Sequence, residues 1–379
     1  MTNKEKKPLV VLAAGGTGGH VFPAEALAAE LIKRGFYLVL ITDRRGDNMK
    51  GRLAELDTYR VWAGGIAGKR LILRIVSIIE IIIGTFQAWV LLRRLKPEVV
   101  VGFGGYSSVP TMLAAAYSGR KVVIHEQNAV LGRANRLLAK RIEIIATSFE
   151  AVSSIPTALE HNTVLTGMPV RPAVVSLRDQ PYPNIEPSRG INLIIFGGSQ
   201  GAKVFSTIVP NALDQIHKTL RYRIRVTQQC RPEDIKRVRL LYASFGIEAD
   251  ISSFFSDMPD RIAGAHLVIC RAGASTVAEL TTIGRPAILV PYMHAVDDHQ
   301  SQNAYAVDEI GGGWLIPENN LTTKVLSDRL VSLFSVPRVL ENAGSAAKAA
   351  GIPDAASRLA DIVIDLIPIN LTKDCGRSA

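Results

Sequence analysis

The sequence predicts an α/β protein of two Rossmann-like parallel-sheet domains facing each other across a cleft. Three observations predict it: continuous Val-, Ile- and Leu-rich runs alternate with helical patterns, a break with five prolines (169, 172, 181, 183, 187) divides the chain at residues 169–190, and both halves open alike. In order, the runs are Leu9–Ala13, Leu38–Ile41, Val99–Val101, Lys121–Ile124 and Glu143–Ala146, then Asn192–Phe196, Ile224–Thr227, Leu267–Cys270 and Ala287–Val290. Strands that are apolar throughout, rather than alternating, are covered on both faces, as in parallel sheets with a helix after each strand. The two openings are LVVLAAGGTGGHVF and INLIIFGGSQGAKVF, so Gly15, Gly16, Thr17 and Gly19 correspond to Gly197, Gly198, Ser199 and Gly201. The expected organisation is a first domain at 1–168, a linker at 169–190, a second domain at 191–350, and at 351–379 a helix able to pack back, followed by a tail.

Composition narrows the class. At 379 residues, 47% hydrophobic and 21% charged, the chain is neither disordered, collagen-like nor a disulfide-stapled miniature. Cys230, Cys270 and Cys375 form no CxxC and no Cys/His cluster, so neither zinc nor a disulfide framework is implied; a sparse, odd count suits the reducing cytosol. The basic, then apolar, N-terminus superficially resembles an export signal. Its apolar run ends at Ala14 in a glycine cluster, which reads as a first strand and its loop.

The net charge is +10 and is unevenly placed: residues 1–170 carry 22 Lys and Arg against 13 Asp and Glu, residues 171–379 carry 22 against 21. A basic face attracts nucleic acid or anionic lipid. No aromatic residues interleave with the basic ones along a plausible groove, which speaks against nucleic acid. Residues 69–96 bear on lipid. Ile75–Leu92 hold a single charge, Glu80, and as a helix would be about 27 Å long. Arg70, Arg74, Ser77, Glu80, Gln87 and Arg94 make one narrow polar stripe with Gly84 in its row, and cations gather at both ends (Lys69, Arg70, Arg74; Arg93, Arg94, Lys96). Three readings stay open: a core helix with a solvated edge, a surface lying partly on an anionic membrane, and a span, which the stripe disfavours.

Four glycine-rich loops follow predicted strands, at 15–25, 102–110, 197–203 and 270–279. Parallel sheets bind ligands where strands give way to helix N-termini; glycine lets the backbone approach a phosphate and the first-turn N–H groups bind it. Any tight turn calls for one such loop, but four, two of them in corresponding places, point to phosphate. The dinucleotide pattern GxGxxG fails at Val21, and GxxxxGK[ST] is absent. No Asp-x-Asp ends a strand, so no metal and no cofactor is implied, and helix N-termini and cations are left to neutralise a leaving diphosphate. His20, at the mouth of the first loop, reads as a proton acceptor for an incoming hydroxyl or as a loop cap. Glu279, in the helix beginning near Ser275, reads as a ribose acceptor or an ordinary helix glutamate. Arg171 in the linker is placed to reach a phosphate. HEQN at 125–128 ends a strand with four polar residues, some of which would line the cleft. His294, Asp297, Asp298 and His299 look like metal ligands but read better as a solvated loop.

GGTGGHVFPA, HEQN, GGSQGA, CRAGASTVAE and IPDA, in this order from about residue 9 to 365, closely resemble the MurG family of bacterial N-acetylglucosaminyltransferases. The resemblance implies a GT-B fold and inverting transfer of GlcNAc from UDP-GlcNAc to the MurNAc 4-hydroxyl of undecaprenyl-pyrophosphoryl-MurNAc-pentapeptide (lipid I), giving lipid II and UDP for peptidoglycan synthesis. It implies donor contacts at Thr17, Gly18, Gly19, Asn128, Arg171, Ser199, Phe255, Ala274, Ser275, Thr276, Glu279 and Gln300. It implies acceptor contacts at Gly104, Gly105, Tyr106 and Glu126, and His20 as the general base. Implied partners are anionic phospholipid and other cell-wall synthesis proteins, with a peripheral location on the cytoplasmic face of the bacterial inner membrane. Residues 69–96 look like the family's membrane-association region, in agreement with the charge asymmetry.

Overall fold

The structure, a computed structural model, describes residues 7–16, 18–44, 51–65, 71–185, 190–198 and 201–368; Thr17, Ser199, Lys69, Arg70 and Cys375 lie outside the described residues. The chain forms two compact units, residues 1–171 with 354–379, and residues 172–353.

The first unit carries β1 (Leu9–Ala13), β2 (Tyr37–Thr42), β3 (Asp57–Arg60), β4 (Val99–Gly102), β5 (Lys121–Glu126), β6 (Ile144–Thr147) and β7 (Thr163–Leu165), with α1 (Gly18–Lys33), α2 (Leu71–Leu95), α3 (Val109–Tyr117) and α4 (Arg133–Leu138). The strands pair in parallel in the order β3-β2-β1-β4-β5-β6-β7. Period-two alternation explains why these strands are apolar throughout. Val10, Leu12, Val99 and Val101 join the cluster under α1, while Val11, Ala13, Val100 and Val122 join the opposite one with Ala88, Leu92 and Met112.

The second unit carries β8 (Ile191–Phe196), β9 (Ile224–Gln229), β10 (Glu248–Ser252), β11 (Leu267–Cys270), β12 (Ala287–Leu289) and β13 (Gly313–Leu315). Their parallel order is β10-β9-β8-β11-β12-β13. Its helices are α5 (Pro172–Val175), α6 (Lys203–Asp214), α7 (Lys218–Arg221), α8 (Ile235–Ser244), α9 (Met258–Ala263), α10 (Ala274–Ile283), α11 (His299–Glu309), α12 (Thr323–Ser335) and α13 (Pro337–Ala350). Part of the proline-rich segment is fastened here, Arg178 donating to the carbonyls of Thr282 and Lys348. The last helix, α14 (Ala355–Asp365), belongs to the first unit. Its Leu359, Ala360 and Val363 pack beside Leu27 and Leu31 of α1, and Arg34 reaches Asp361 and Ser357.

Both sheets reverse strand order at one place, between β1 and β4 and between β8 and β11. Such a switch point leaves a crevice at the carboxyl ends of the flanking strands. The four glycine-rich loops are those that follow these four strands.

The structure corrects the reading of residues 69–96 as a core helix with a solvated edge: in α2 the middle of the polar row, from Ser77 to Gln87, faces inward, while Arg74 and Arg94 near its ends stay exposed. Ser77 is buried and donates to the Gly65 carbonyl, Gln87 accepts from the Trp62 N–H, and Gly84 is buried where a β-carbon would stand 1.8 Å from the Trp62 carbonyl oxygen. The apolar residues face outward: Ile75, Ile79, Ile82 and Phe86 are 53%, 50%, 64% and 65% exposed. Leu73–Leu95 is long and apolar enough to cross a membrane.

Candidate active site

In the first unit the loops after β1 and β4 pack directly against each other. A β-carbon on Gly15 would stand 3.0 Å from the Ser107 β-carbon and 2.6 Å from Thr42 Oγ1, so only glycine permits this approach. The second loop turns through Gly104 and Gly105, at φ +75° and +72°, and Ser108 Oγ donates to the Gly104 carbonyl at 2.9 Å. His20, in the first turn of α1 after Gly18 and Gly19, lies along this turn. A β-carbon on Gly105 would be 3.1 Å from its Cδ2 and 3.2 Å from its Nε2. Its Nδ1 is 3.2 Å from Oε1 of Gln127, which follows β5. Tyr106 is half-buried beside the same turn.

The polar residues that end β5 are ordered by one another. Glu126 is 2% exposed. Its Oε1 accepts from the Asn128 backbone N–H at 3.0 Å and side chain at 3.3 Å; Oε2 accepts from Gly132 N–H and Asn135 Nδ2, both at 2.8 Å. The resemblance implied an acceptor contact at Glu126; both its oxygens face the loop that holds Asn128. His125 is fully buried and donates from Nε2 to the Gly167 carbonyl at 3.0 Å; burial pulls its pKa down to about 4. Arg171 holds its guanidinium over the Phe22 ring at 5.1 Å.

In the second unit the loop after β11 opens α10, with Gly273 as its extended N-cap. Ala274, Val277 and Leu280 are buried, which turns Ser275, Thr276 and Glu279 onto the helix's half-exposed face. Ser275 Oγ is buried and has no hydrogen-bond partner among the described residues. An orphaned hydroxyl beside the unpaired N–H groups of a helix start suits an anionic ligand. The corresponding loop after β8 has Gly198 and Gly201 at φ +80° and +65°. Phe255 is 9% exposed, with the Arg261 guanidinium 4.3 Å above its ring. Gln300, in the first turn of α11, accepts from the Tyr292 N–H at 2.9 Å. Just before it, Asp297 and Asp298 both take positive φ, +54° and +51°, strain that clusters at ligand sites. Among the described residues no three His, Cys, Asp or Glu side chains are grouped to hold a metal.

The sequence left Arg271 unassigned, although it lies in the CRAGAS motif. Its guanidinium bonds Glu318 Oε2 at 2.8 Å and the carbonyls of Val290 and Pro291 at 3.2 and 3.1 Å, joining the loops after β11, β12 and β13. Gln127 was visible only as one letter of HEQN.

The chain is similar to known proteins over most of its length. Residues 10–147 match the glycosyltransferase family 28 N-terminal domain and residues 192–359 its C-terminal domain. The chain is 57% identical over 354 residues to the UDP-N-acetylglucosamine–N-acetylmuramyl-(pentapeptide) pyrophosphoryl-undecaprenol N-acetylglucosamine transferase of Rhodospirillum rubrum, covering 93% of this chain and 91% of that one. It is 54% identical to the protein so named in Paramagnetospirillum magneticum, covering 96% and 98%. The crystal structure of Acinetobacter baumannii MurG superposes with a TM-score of 0.77 at 30% identity, covering 94% of this chain and 99% of that one. The UDP-GlcNAc 2-epimerase of Neisseria meningitidis, at 14% identity and a TM-score of 0.63 over 95% and 100%, shares the fold alone. With both family 28 domains and this near full-length identity, the chain belongs to the family of UDP-N-acetylglucosamine–N-acetylmuramyl-(pentapeptide) pyrophosphoryl-undecaprenol N-acetylglucosamine transferases.

Proposed function

We propose that the protein transfers GlcNAc from UDP-GlcNAc to the 4-hydroxyl of the MurNAc residue of lipid I, with inversion, releasing UDP and lipid II. The near full-length identity to transferases of that name carries the reading, and the loops at the two switch points give it a physical basis. In the second unit, the start of α10 with Ser275 and Thr276 holds the donor diphosphate, and Glu279 accepts the ribose hydroxyls one turn on. Ala274, Phe255 and Gln300 shape that donor site, and Gly18, Gly19, Asn128 and Arg171 of the first unit are donor contacts as well; so are Thr17 and Ser199. Gly104, Gly105 and Tyr106 receive the acceptor diphosphate, and Glu126 acts by holding the Asn128 loop in shape.

The chemistry needs little else. The acceptor 4-hydroxyl attacks the anomeric carbon from the face opposite the diphosphate. A bond forms from that oxygen to the anomeric carbon as the bond from carbon to phosphate oxygen breaks. The hydroxyl proton passes to His20, and the leaving UDP keeps the electron pair. Oriented N–H groups stabilise its charge without a metal, a contribution that preorganised donors supply in many transferases and hydrolases.

The exposed apolar face of α2, with Arg93 stacked 3.9 Å over Trp89 and Arg94 beside it, supports peripheral attachment to an anionic membrane on the cytoplasmic side, where lipid I is met.

UDP release from UDP-GlcNAc, with and without a short-chain lipid I analogue and in excess EDTA, tests the reading. Acceptor-dependent release with a β-linked disaccharide product is expected. Release without acceptor alongside a rearranged sugar would replace the transferase reading with an epimerase.

A further inference from the structure

We infer that Gln127 fixes the tautomer of His20, placing the ring hydrogen on Nδ1 and the lone pair on Nε2, and is thereby a positioning residue for the transfer. The catalytic consequence rests on the reading of His20 as the proton acceptor; the tautomer itself does not.

Gln127 is 2% exposed, and its amide lies among groups that admit one orientation. Its Nε2 lies 2.9 Å from the Phe103 carbonyl oxygen and 2.9 Å from the His125 carbonyl oxygen. Carbonyl oxygens only accept, so the NH2 end of the amide faces them. The third neighbour, His125 Nδ1 at 3.2 Å, agrees. His125 Nε2 faces the Gly167 carbonyl and must carry the ring hydrogen, which leaves Nδ1 as an acceptor. Burial keeps this ring neutral near pH 7, so the acceptor persists.

With its nitrogen so committed, Gln127 presents Oε1 to His20 Nδ1 at 3.2 Å. An amide oxygen has no hydrogen to give, so His20 must donate from Nδ1. The neutral imidazole then has its lone pair on Nε2, the atom lying along Gly105 in the turn proposed to receive the acceptor. A histidine in water favours the other tautomer, with hydrogen on Nε2, which could not take a proton there. Gln127 reverses that preference. Its bond to Nδ1–H also survives protonation of Nε2, so the ring need not turn as the proton arrives. In Ser–His–Asp enzymes the group behind the histidine has the same duty of setting tautomer and orientation.

The test uses the full chain labelled with 15N-histidine. Two-bond 15N–1H spectra report which ring nitrogen carries hydrogen, and the His20 signals are those missing from His20→Ala. In the wild type at neutral pH we expect the Nδ1–H pattern for His20. In Gln127→Met, close in size but without an amide oxygen, that pattern should be lost. kcat should fall about tenfold or more with KM for UDP-GlcNAc nearly unchanged. Hydrogen on Nε2 in the wild type would overturn the inference whether or not the variant folds, as would persistence of the Nδ1–H pattern in a folded Gln127→Met. Loss of the pattern with an undiminished kcat would uphold the tautomer relay and remove His20 from proton transfer.

Discussion

Arg285 is 1% exposed and its guanidinium is met by carbonyls: Ala263 at 2.9 and 2.6 Å, Ile283 at 3.2 Å, Gly284 at 3.1 Å and Pro181 at 2.9 Å. Ala263 and Ile283 end α9 and α10, so one cation sits at two helix C-termini, where carbonyls lack partners and the dipole is negative. It also holds Pro181 of the proline-rich segment. Arg285→Met should strand these carbonyls and lower stability by about 3 kcal/mol, read as a lower urea midpoint. His125 predicts a pH effect. Its pKa is lowered in the folded protein from the usual 6.5 to about 4 by burial, and burial also lowers that of His266. The unfolded chain therefore binds protons that the folded chain refuses, so stability should fall as pH drops from about 6.5 towards 4. His125→Gln should show a shallower decline in urea midpoint over that range. None of these roles was legible in the sequence. An arginine, a glutamine or a buried histidine is one letter whose meaning lies in the carbonyls around it.

At the scale of elements, α2 shows where periodicity misleads. Its polar row has helical spacing, and a row of polar residues ordinarily faces water. Here the middle of the row, at Ser77, Gly84 and Gln87, faces the loop at residues 61–65, which supplies carbonyl and N–H partners, and the larger apolar face is left outside. The double variant Ile82→Glu and Phe86→Glu alters side chains 64% and 65% exposed, so the thermal transition should stay nearly unchanged. Co-sedimentation with vesicles containing anionic lipid should be lost; retained binding would place the membrane contact elsewhere. The strands divide in an instructive way. The nine apolar runs all became strands, with ends shifted by at most two residues. The four without a signal, β3, β7, β10 and β13, are the edges of the two sheets. An edge strand has a neighbour on one side only and is partly wet, so DTYR and EADIS need no apolar run; pairing with β2 and β9 makes them strands.

At the scale of the molecule, the last helix returns to the first unit. Leu359, Ala360, Val363 and Ile367 bury fully or nearly so beside α1, a contribution of about 5 kcal/mol at roughly 1.5–3 kcal/mol for each large apolar side chain. Deleting residues 354–379 should lower the thermal transition of the first unit and leave that of the second in place. UDP should stabilise the second unit by about 2.7 kcal/mol at a hundredfold excess over its Kd, read as a higher transition for that unit. Calorimetry of the intact and shortened chains would separate the two. By itself the sequence determined two parallel-sheet units, the four glycine loops and the family, because apolar runs and glycine motifs are written locally. Tertiary structure alone decided which face of α2 turns outward, which strands close the sheets, and how His20 is held. Those outcomes depend on partners far away in the chain, as His20 and Gln127 are, 107 residues apart. A residue's hydrogen-bonding role is set by what surrounds it, and only folding supplies the surroundings.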